Sequence, residues 1–296
     1  MNRSLLARIG ASVTAGAACA GIFAMPAQPA GAASPGRSGH VFIGVAVKGN
    51  IVSRVRSFSR ATGARMAMVE FYAPFGGSFP RRELHRVAST GAIPLLQWNP
   101  RGVPLARIAA GAYDAYLRRC AVSFERFGRP VVLSFGHEMN GTWYRWGAGH
   151  ASPSTFVAAW RRMHDIFALA GVRNVTWSWD PSHTGVRPRP WWPGRHYVDK
   201  IGIDGYQRPG DTFAHIFAAR LASIRSFTSK PIYIAETSVA PGPHQARQIN
   251  GLFNGVQRFR LAGFVWFDIN RLATWRLEGR RRAIRAFRRA LARTNG

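Results

Sequence analysis

Val131-Val132-Leu133-Ser134-Phe135-Gly136 and Asn174-Val175-Thr176-Trp177-Ser178-Trp179 are two short apolar runs, and Ser154–Ala170 between them carries its apolar residues at helical spacing. Ser152-Pro153 precedes that stretch, a helix start signal with proline in the first turn. The order is strand, helix, strand. Runs this short, bounded by glycine, proline or asparagine, have the composition of parallel strands buried on both faces. The same signature recurs outward at Val41–Val47, Met66–Tyr72, Ile93–Trp98, Val198–Ile203, Ile232–Ala235 and Phe264–Phe267, giving eight strand candidates. Helical patterns cover Ile51–Ala61, Leu105–Phe127, Thr212–Phe227, His244–Leu261 and Arg280–Ala292. Residues 181–197, with four prolines and the adjacent Trp191 and Trp192, read as a structured loop. Eight strands alternating with helices predict an α/β fold, a single-domain (β/α)8 TIM barrel, over an open doubly wound sheet.

Composition bounds the rest. Hydrophobic residues make up 47% of the 296, with ten Trp and nineteen Phe, so a large core forms and general disorder is excluded. Lys and Arg number 41 against 13 Asp and Glu, for a formal charge of +28, and lysine occurs only at 48, 200 and 230. Such a charge speaks to solubility and anionic partners, not to fold. No G-x-G-x-x-G segment follows a strand and no Walker-type lysine motif occurs, which argues against nucleotide chemistry. Cys19 and Cys120 are the only cysteines, too few for a disulfide framework or a cysteine zinc site.

Arg3 and Arg8, the small apolar stretch Ile9–Met25 and Ala30-Gly31-Ala32 read together as a secretory signal peptide over residues 1–32. Residues 33–296 then form the folded domain, expected to be secreted, monomeric and without a transmembrane anchor. The arginine-rich end, Arg276–Arg293, has Leu277, Ile284, Phe287 and Leu291 at helical spacing. It reads as the last barrel helix with a solvated basic face. The sharper expectation is retention on an anionic cell-wall polymer.

The thirteen carboxylates are unevenly placed. Glu70, Glu138, Asp180, Asp204, Glu236 and Asp268 fall inside or just after apolar strand runs. Burying a carboxylate is costly unless it is paired or functional, and barrel active sites form at the C-terminal strand ends. Strand four runs into His137-Glu138-Met139-Asn140-Gly141-Thr142-Trp143-Tyr144-Arg145-Trp146-Gly147, and strand seven ends in Tyr233-Ile234-Ala235-Glu236-Thr237. Two carboxylates across a barrel mouth suit glycoside hydrolysis, which needs a proton donor and a nucleophile or base flanking one bond. The aromatic residues of the same loops suit stacking on sugar rings.

His137–Gly147 resembles the acid/base motif of glycoside hydrolase family 26, (β/α)8 retaining glycosidases with catalytic glutamates on strands four and seven. Weaker similarity extends over roughly Val41 to Ala292, through Ile93–Pro100, Pro190–Tyr206 and Phe264–Phe267. The resemblance implies that Glu138 is the general acid/base and Glu236 the nucleophile. It implies that His137 lines the site, Trp143 stacks on a sugar and Tyr206 hydrogen-bonds the nucleophile. It further implies that Trp266 is the platform under the reacting sugar, with Asn99 and Asp204 as contacts at the mouth. Adjacent His and Glu are not a zinc pattern, and no metal or cofactor is expected. The expected partner is a β-linked polysaccharide, β-mannan or mixed-linkage β-glucan, with no nucleic acid in the cleft. Two alternatives stay open: a non-catalytic carbohydrate-binding barrel, and a protein that binds an anionic wall polymer.

Overall fold

Eight parallel strands pair in sequence order, and β8 closes on β1, in a computed structural model that describes residues 41–271 and 274–295. The strands are β1 (Phe42–Ala46), β2 (Met68–Pro74), β3 (Ile93–Asn99), β4 (Val131–Phe135), β5 (Val175–Trp179), β6 (Lys200–Asp204), β7 (Ile232–Thr237) and β8 (Gly263–Phe267). The helices are α1 (Ile51–Thr62), α2 (Arg81–Ala88), α3 (Leu105–Ala109), α4 (Asp114–Phe127), α5 (Pro153–Leu169), α6 (Phe213–Arg225), α7 (Gln245–Arg258) and α8 (Arg281–Asn295). This is the (β/α)8 TIM barrel that the alternation predicts. The expected leader, residues 1–32, lies outside the described residues. Among those described, no helix is long and apolar enough to cross a membrane.

Two helical expectations change. Leu105–Phe127 is not one helix: α3 ends and Gly111 takes φ +91° before α4 begins. That left-handed backbone suits glycine and interrupts an α-helix. α2 is short and charged, with only Leu84, Val87 and Ala88 buried, too few positions for its period to be seen in the sequence. The loop at 181–197 holds a single 3-10 turn, Arg189–Trp191; Trp191 is buried in it against Phe156.

Alternation along the strands decides which side chains reach the site. Phe42, Met68, Leu95, Val132, Tyr233, Val265 and Phe267 belong to the inner cluster. Ile43, Val69, Leu96, Leu133, Ile234, Phe264 and Trp266 pack outward against the helices. On β2 the inner row continues as Glu70 and Tyr72, and on β3 as Gln97 and Asn99, because side chains two apart share a face. The barrel interior is therefore apolar near the strand starts and polar toward their ends. The outer helices are held by ordinary amphipathic logic. In α1, Ile51, Val55 and Phe58 are buried, Asn50 caps the first turn through Ser53 N–H, and Gly63 ends the helix at φ +74°.

Candidate active site

A cavity of about 1170 Å³ opens where the strands end, lined by Tyr72, Glu138, Trp143, Tyr206, Glu236 and Trp275 among others. The backbone after β4 places the first carboxylate. Gly136 has φ +58° and Glu138 has φ +53°. For a residue with a Cβ, that left-handed conformation costs about 1–2 kcal/mol. It is held at both ends: Glu138 N–H donates to the Asp180 carbonyl at 2.7 Å, and the Glu138 carbonyl accepts from Gly141 N–H at 2.8 Å.

The remaining motif residues support that geometry. Asn140 is fully buried; its Oδ1 accepts from Ser182 N–H at 2.8 Å and its Nδ2 donates to the carbonyls of Ser182 and Thr184. It thereby clamps the loop after β5 to the loop after β4. A Cβ on Gly141 would overlap the Trp143 ring, so glycine lets the indole lie over the backbone. Trp146 is buried, stacks on Tyr144 with centroids 4.3 Å apart, and donates its indole N–H to the His137 carbonyl at 2.8 Å.

Trp143 is 48% exposed, and its indole N–H donates to Glu138 Oε2 at 2.7 Å. Burial first, and the nearby Glu236 charge second, raise the Glu138 pKa to about 7, against the lowering pull of Trp143. Glu236 is differently placed. It is buried, its Oε1 accepts from the Tyr72 hydroxyl at 2.7 Å, and its Oε2 accepts from the Tyr206 hydroxyl. Two hydroxyl donors stabilise the charged form of a carboxylate. His137 Nε2 stands 3.9 Å from Glu236 Oε1, and its Nδ1 donates to Asn99 Oδ1 at 2.9 Å. Burial lowers the His137 pKa, against the opposing pull of Glu236, and so favours the neutral ring.

Beneath these groups lies a buried polar layer. Gln97 Nε2 bridges Glu70 Oε1 at 2.8 Å and Asp180 Oδ2 at 3.2 Å. Asp180 Oδ1 also accepts from the Ser178 hydroxyl and from Gly202 N–H, and a Cβ on Gly202 would collide with it. Burial raises the Asp180 pKa to about 6 and holds Glu70 and Asp204 well above the usual carboxylate range, with Glu236 adding to both. Asp268, by contrast, is structural: it pairs with Arg54 at 3.0 Å and accepts from Leu277 N–H.

The structure thus brings His137, Glu138, Trp143, Tyr206 and Glu236 to one cavity. Three expectations are corrected. Trp266 does not lie under the reacting sugar. It is fully buried on the outer face of β8 and packs edge-on against Phe287 of α8, because its neighbours Val265 and Phe267 take the inner face. Trp275, in the segment after β8, lines the cavity instead, with its ring 5.0 Å from Tyr206. Asn99 and Asp204 are not at the mouth. Both are buried and neither lines the cavity, Asn99 orienting His137 and Asp204 with neither carboxylate oxygen hydrogen-bonded.

The sequence reading also missed Tyr72, the second phenol on Glu236. Its signal was available, since it follows Glu70 by two on one strand face. Among the described residues, His137, Asp204 and Glu236 form the group whose ligand atoms lie within 4.8 Å of one another, as a metal would require. The donor set fits a resident cation poorly. Both Glu236 oxygens already accept phenol protons, and burial favours the neutral form of Asp204.

Comparison with known proteins agrees with this architecture. The sequence profile described as glycosyl hydrolase family 26 matches residues 113–235. Endoglucanase H of Acetivibrio thermocellus is 30% identical over 260 residues, 81% of this chain and 29% of that protein. A mannan endo-1,4-beta-mannosidase of Caldalkalibacillus mannanilyticus is 31% identical over 86 residues, 27% of this chain and 17% of that protein. The chain therefore spans less than a third of the length of either relative. Among solved structures, the GH26 β-mannanase of Bacteroides ovatus superposes with a TM-score of 0.63 at 18% identity, covering 87% of this chain and 90% of that one. The catalytic domain of a Bacillus GH26 endo-beta-1,4-mannanase gives a TM-score of 0.67 at 16% identity, with 86% of each chain covered. With the profile on residues 113–235, a relative aligned over 81% of this chain and the same barrel, the chain belongs to glycoside hydrolase family 26.

Proposed function

We propose that this chain is a secreted, retaining endo-β-glycosidase acting on a β-linked glucan or mannan. The observation that carries the reading is the contrast between two carboxylates on one cavity. Glu138 has a pKa raised to about 7 by burial and by Glu236, while Glu236 accepts two phenol protons. That contrast separates an acid from a nucleophile.

In the first step, protonated Glu138 gives its proton to the glycosidic oxygen as Glu236 attacks the anomeric carbon. The bond to the leaving sugar breaks and a glycosyl ester forms on Glu236. The Tyr72 and Tyr206 hydroxyls aim the carboxylate and stabilise its charge until attack. Esterification removes that charge. Since Glu236 raises the Glu138 pKa, the pKa then falls and the Glu138 carboxylate serves as base toward water. Water attacks the same carbon, its proton passes to Glu138, and Glu236 leaves with the original anomeric configuration restored. Trp143, exposed at the rim, offers a face for sugar stacking.

The long alignment with an endoglucanase favours β-glucan as the backbone, and the shorter one with a mannosidase keeps mannan as the second candidate. The test is reducing-end release from mixed-linkage β-glucan, carboxymethyl cellulose, glucomannan, galactomannan, β-1,3-xylan and β-1,4-xylan, with Glu236→Ala as control. Activity on a glucan or mannan, lost in the control, supports the proposal. Activity surviving in Glu236→Ala refutes the nucleophile. Polymer binding without cleavage leaves the carbohydrate-binding barrel. Secretion is part of the same reading and is checked by N-terminal sequencing of protein recovered from the culture medium, expected to start at Ala33.

A further inference from the structure

The charge of +28 is concentrated in a way that the cavity does not use. Helices α2, α1 and α8 pack side by side on the outer wall of the barrel. Together they contain one carboxylate, Glu83. Arg281, Arg285 and Arg289 recur every four residues along α8 and are exposed, a row with one guanidinium about every 6 Å. Arg288 crosses to α1, donating to the carbonyls of Arg60 and Ala61 at 2.9 and 2.8 Å, and so joins that row to the next helix. Between α1 and α2 lies a concavity of about 500 Å³ lined by Arg56, Arg60 and Arg86 together with Asn50 and Ser53. Among the described residues, none of these guanidiniums pairs with a carboxylate.

Holding so many like charges on one wall destabilises the folded state by self-repulsion unless counter-charge is bound. Guanidinium engages carboxylate or phosphate through two parallel hydrogen bonds. No large apolar side chain is exposed on these three helices. The wall therefore lacks the aromatic platforms on which neutral sugars or unpaired bases would stack.

We infer that the α2–α1–α8 wall docks an acidic polysaccharide, a chain of carboxylated sugars, with the row on α8 tracking the chain and the α1–α2 concavity seating individual carboxylates. The choice of a polysaccharide over another polyanion rests on the proposed function, since acidic and neutral glycans occur together in the material such an enzyme would meet. None of the residues that line the concavity lines the catalytic cavity. A polymer on this wall therefore leaves the cleft free, and the enzyme is held beside its substrate.

The experiment is affinity electrophoresis of the full chain in polygalacturonate gels over a salt series, with a neutral cellulose derivative and duplex DNA as parallel matrices. Arg56→Gln/Arg60→Gln/Arg86→Gln and Arg281→Gln/Arg285→Gln/Arg289→Gln are compared with the same positions changed to Lys. The expected result is retardation by polygalacturonate that weakens steeply with salt. The slope of log affinity on log salt should fall by about one for each engaged guanidinium removed. The Lys sets should keep most of the binding and show that the positions tolerate change. Hydrolysis of neutral β-glucan should match the parent in every variant. Retardation that is unaffected by salt, or unchanged in both Gln sets, overturns the docking wall. Tighter binding to DNA than to polygalacturonate at equal salt overturns the choice of partner. Salt-sensitive binding without any glycan hydrolysis by the parent leaves the wall standing and rejects the catalytic reading instead.

Discussion

Replacing Trp143 with Phe keeps an aromatic face at the rim but removes the indole N–H that Glu138 Oε2 accepts at 2.7 Å. A hydrogen bond to a charged group contributes about 1.5–3 kcal/mol when sheltered from water. Trp143 is 48% exposed, so solvent competition reduces this to roughly 0.7–1.4 kcal/mol. At 1.36 kcal/mol per unit, that is about half to one pKa unit. The sign follows from which form is stabilised. The indole favours the Glu138 anion, so losing it raises a pKa that already stands near 7. A general acid works only while protonated, so the alkaline limb of kcat/KM should move upward by that amount in Trp143→Phe. The assay is initial reducing-end release from soluble β-glucan at low substrate concentration across neutral and alkaline pH, for parent and variant. Some activity should be lost at every pH as the stacking area shrinks. A limb that stays in place or moves down would refute the link between Trp143 and the acid.

Tyr72→Phe and Tyr206→Phe each remove one donor to Glu236, and each should lower kcat/KM about ten- to a hundredfold, with the double variant departing from additivity because both act on one carboxylate. Steady-state kinetics on the same glucan checks this. Trp266→Ala should cost about 3–5 kcal/mol of stability in denaturant titration while leaving KM unchanged, whereas Trp275→Ala should raise KM with a smaller effect on stability. Asp180, with its pKa raised by burial from 3.8 to about 6, contributes stability that is fully present below 3.8 and lost as pH rises through about 6. The span is on the order of 3 kcal/mol. Unfolding free energies measured against pH should therefore fall across that window in the parent, with Glu138, Glu70 and Asp204 contributing as well, and should fall by about 3 kcal/mol less in Asp180→Asn, whose amide oxygen still accepts from Ser178 and Gly202.

The barrel was legible because β/α alternation imposes both a period and a boundary on each element, and it recurs through residues 41–295 with the β5–β6 connection as the exception. That Glu138 and Glu236 meet at one cavity was legible because a carboxylate at the end of an apolar strand is expensive without a use. What failed was inside versus outside. Trp266 sits in Gly263–Phe267, a strand buried on both faces, so hydropathy does not distinguish its two sides. Only the register with β1 and β7, and the helix packed behind, settle that it points outward. Trp275 was missed for the opposite reason. It stands in an irregular segment after β8 among arginines, where no periodicity gives direction. Asn99 and Asp204 stand at the ends of β3 and β6, where the sequence puts them, but both are buried and do not line the cavity, since sequence gives the parity of a strand position and not what covers it.

The account turns on Glu236 as a nucleophile that becomes covalently attached to the sugar. The direct measurement is mass spectrometry of the protein after incubation with a 2-deoxy-2-fluoro β-oligosaccharide bearing an activated leaving group, which slows departure of the glycosyl ester. The account predicts a mass increase of one glycosyl unit per chain, mapped by peptide sequencing to Glu236 and absent in Glu236→Ala. An adduct on another residue, or full turnover of glucan by a protein that never carries the label, would contradict it.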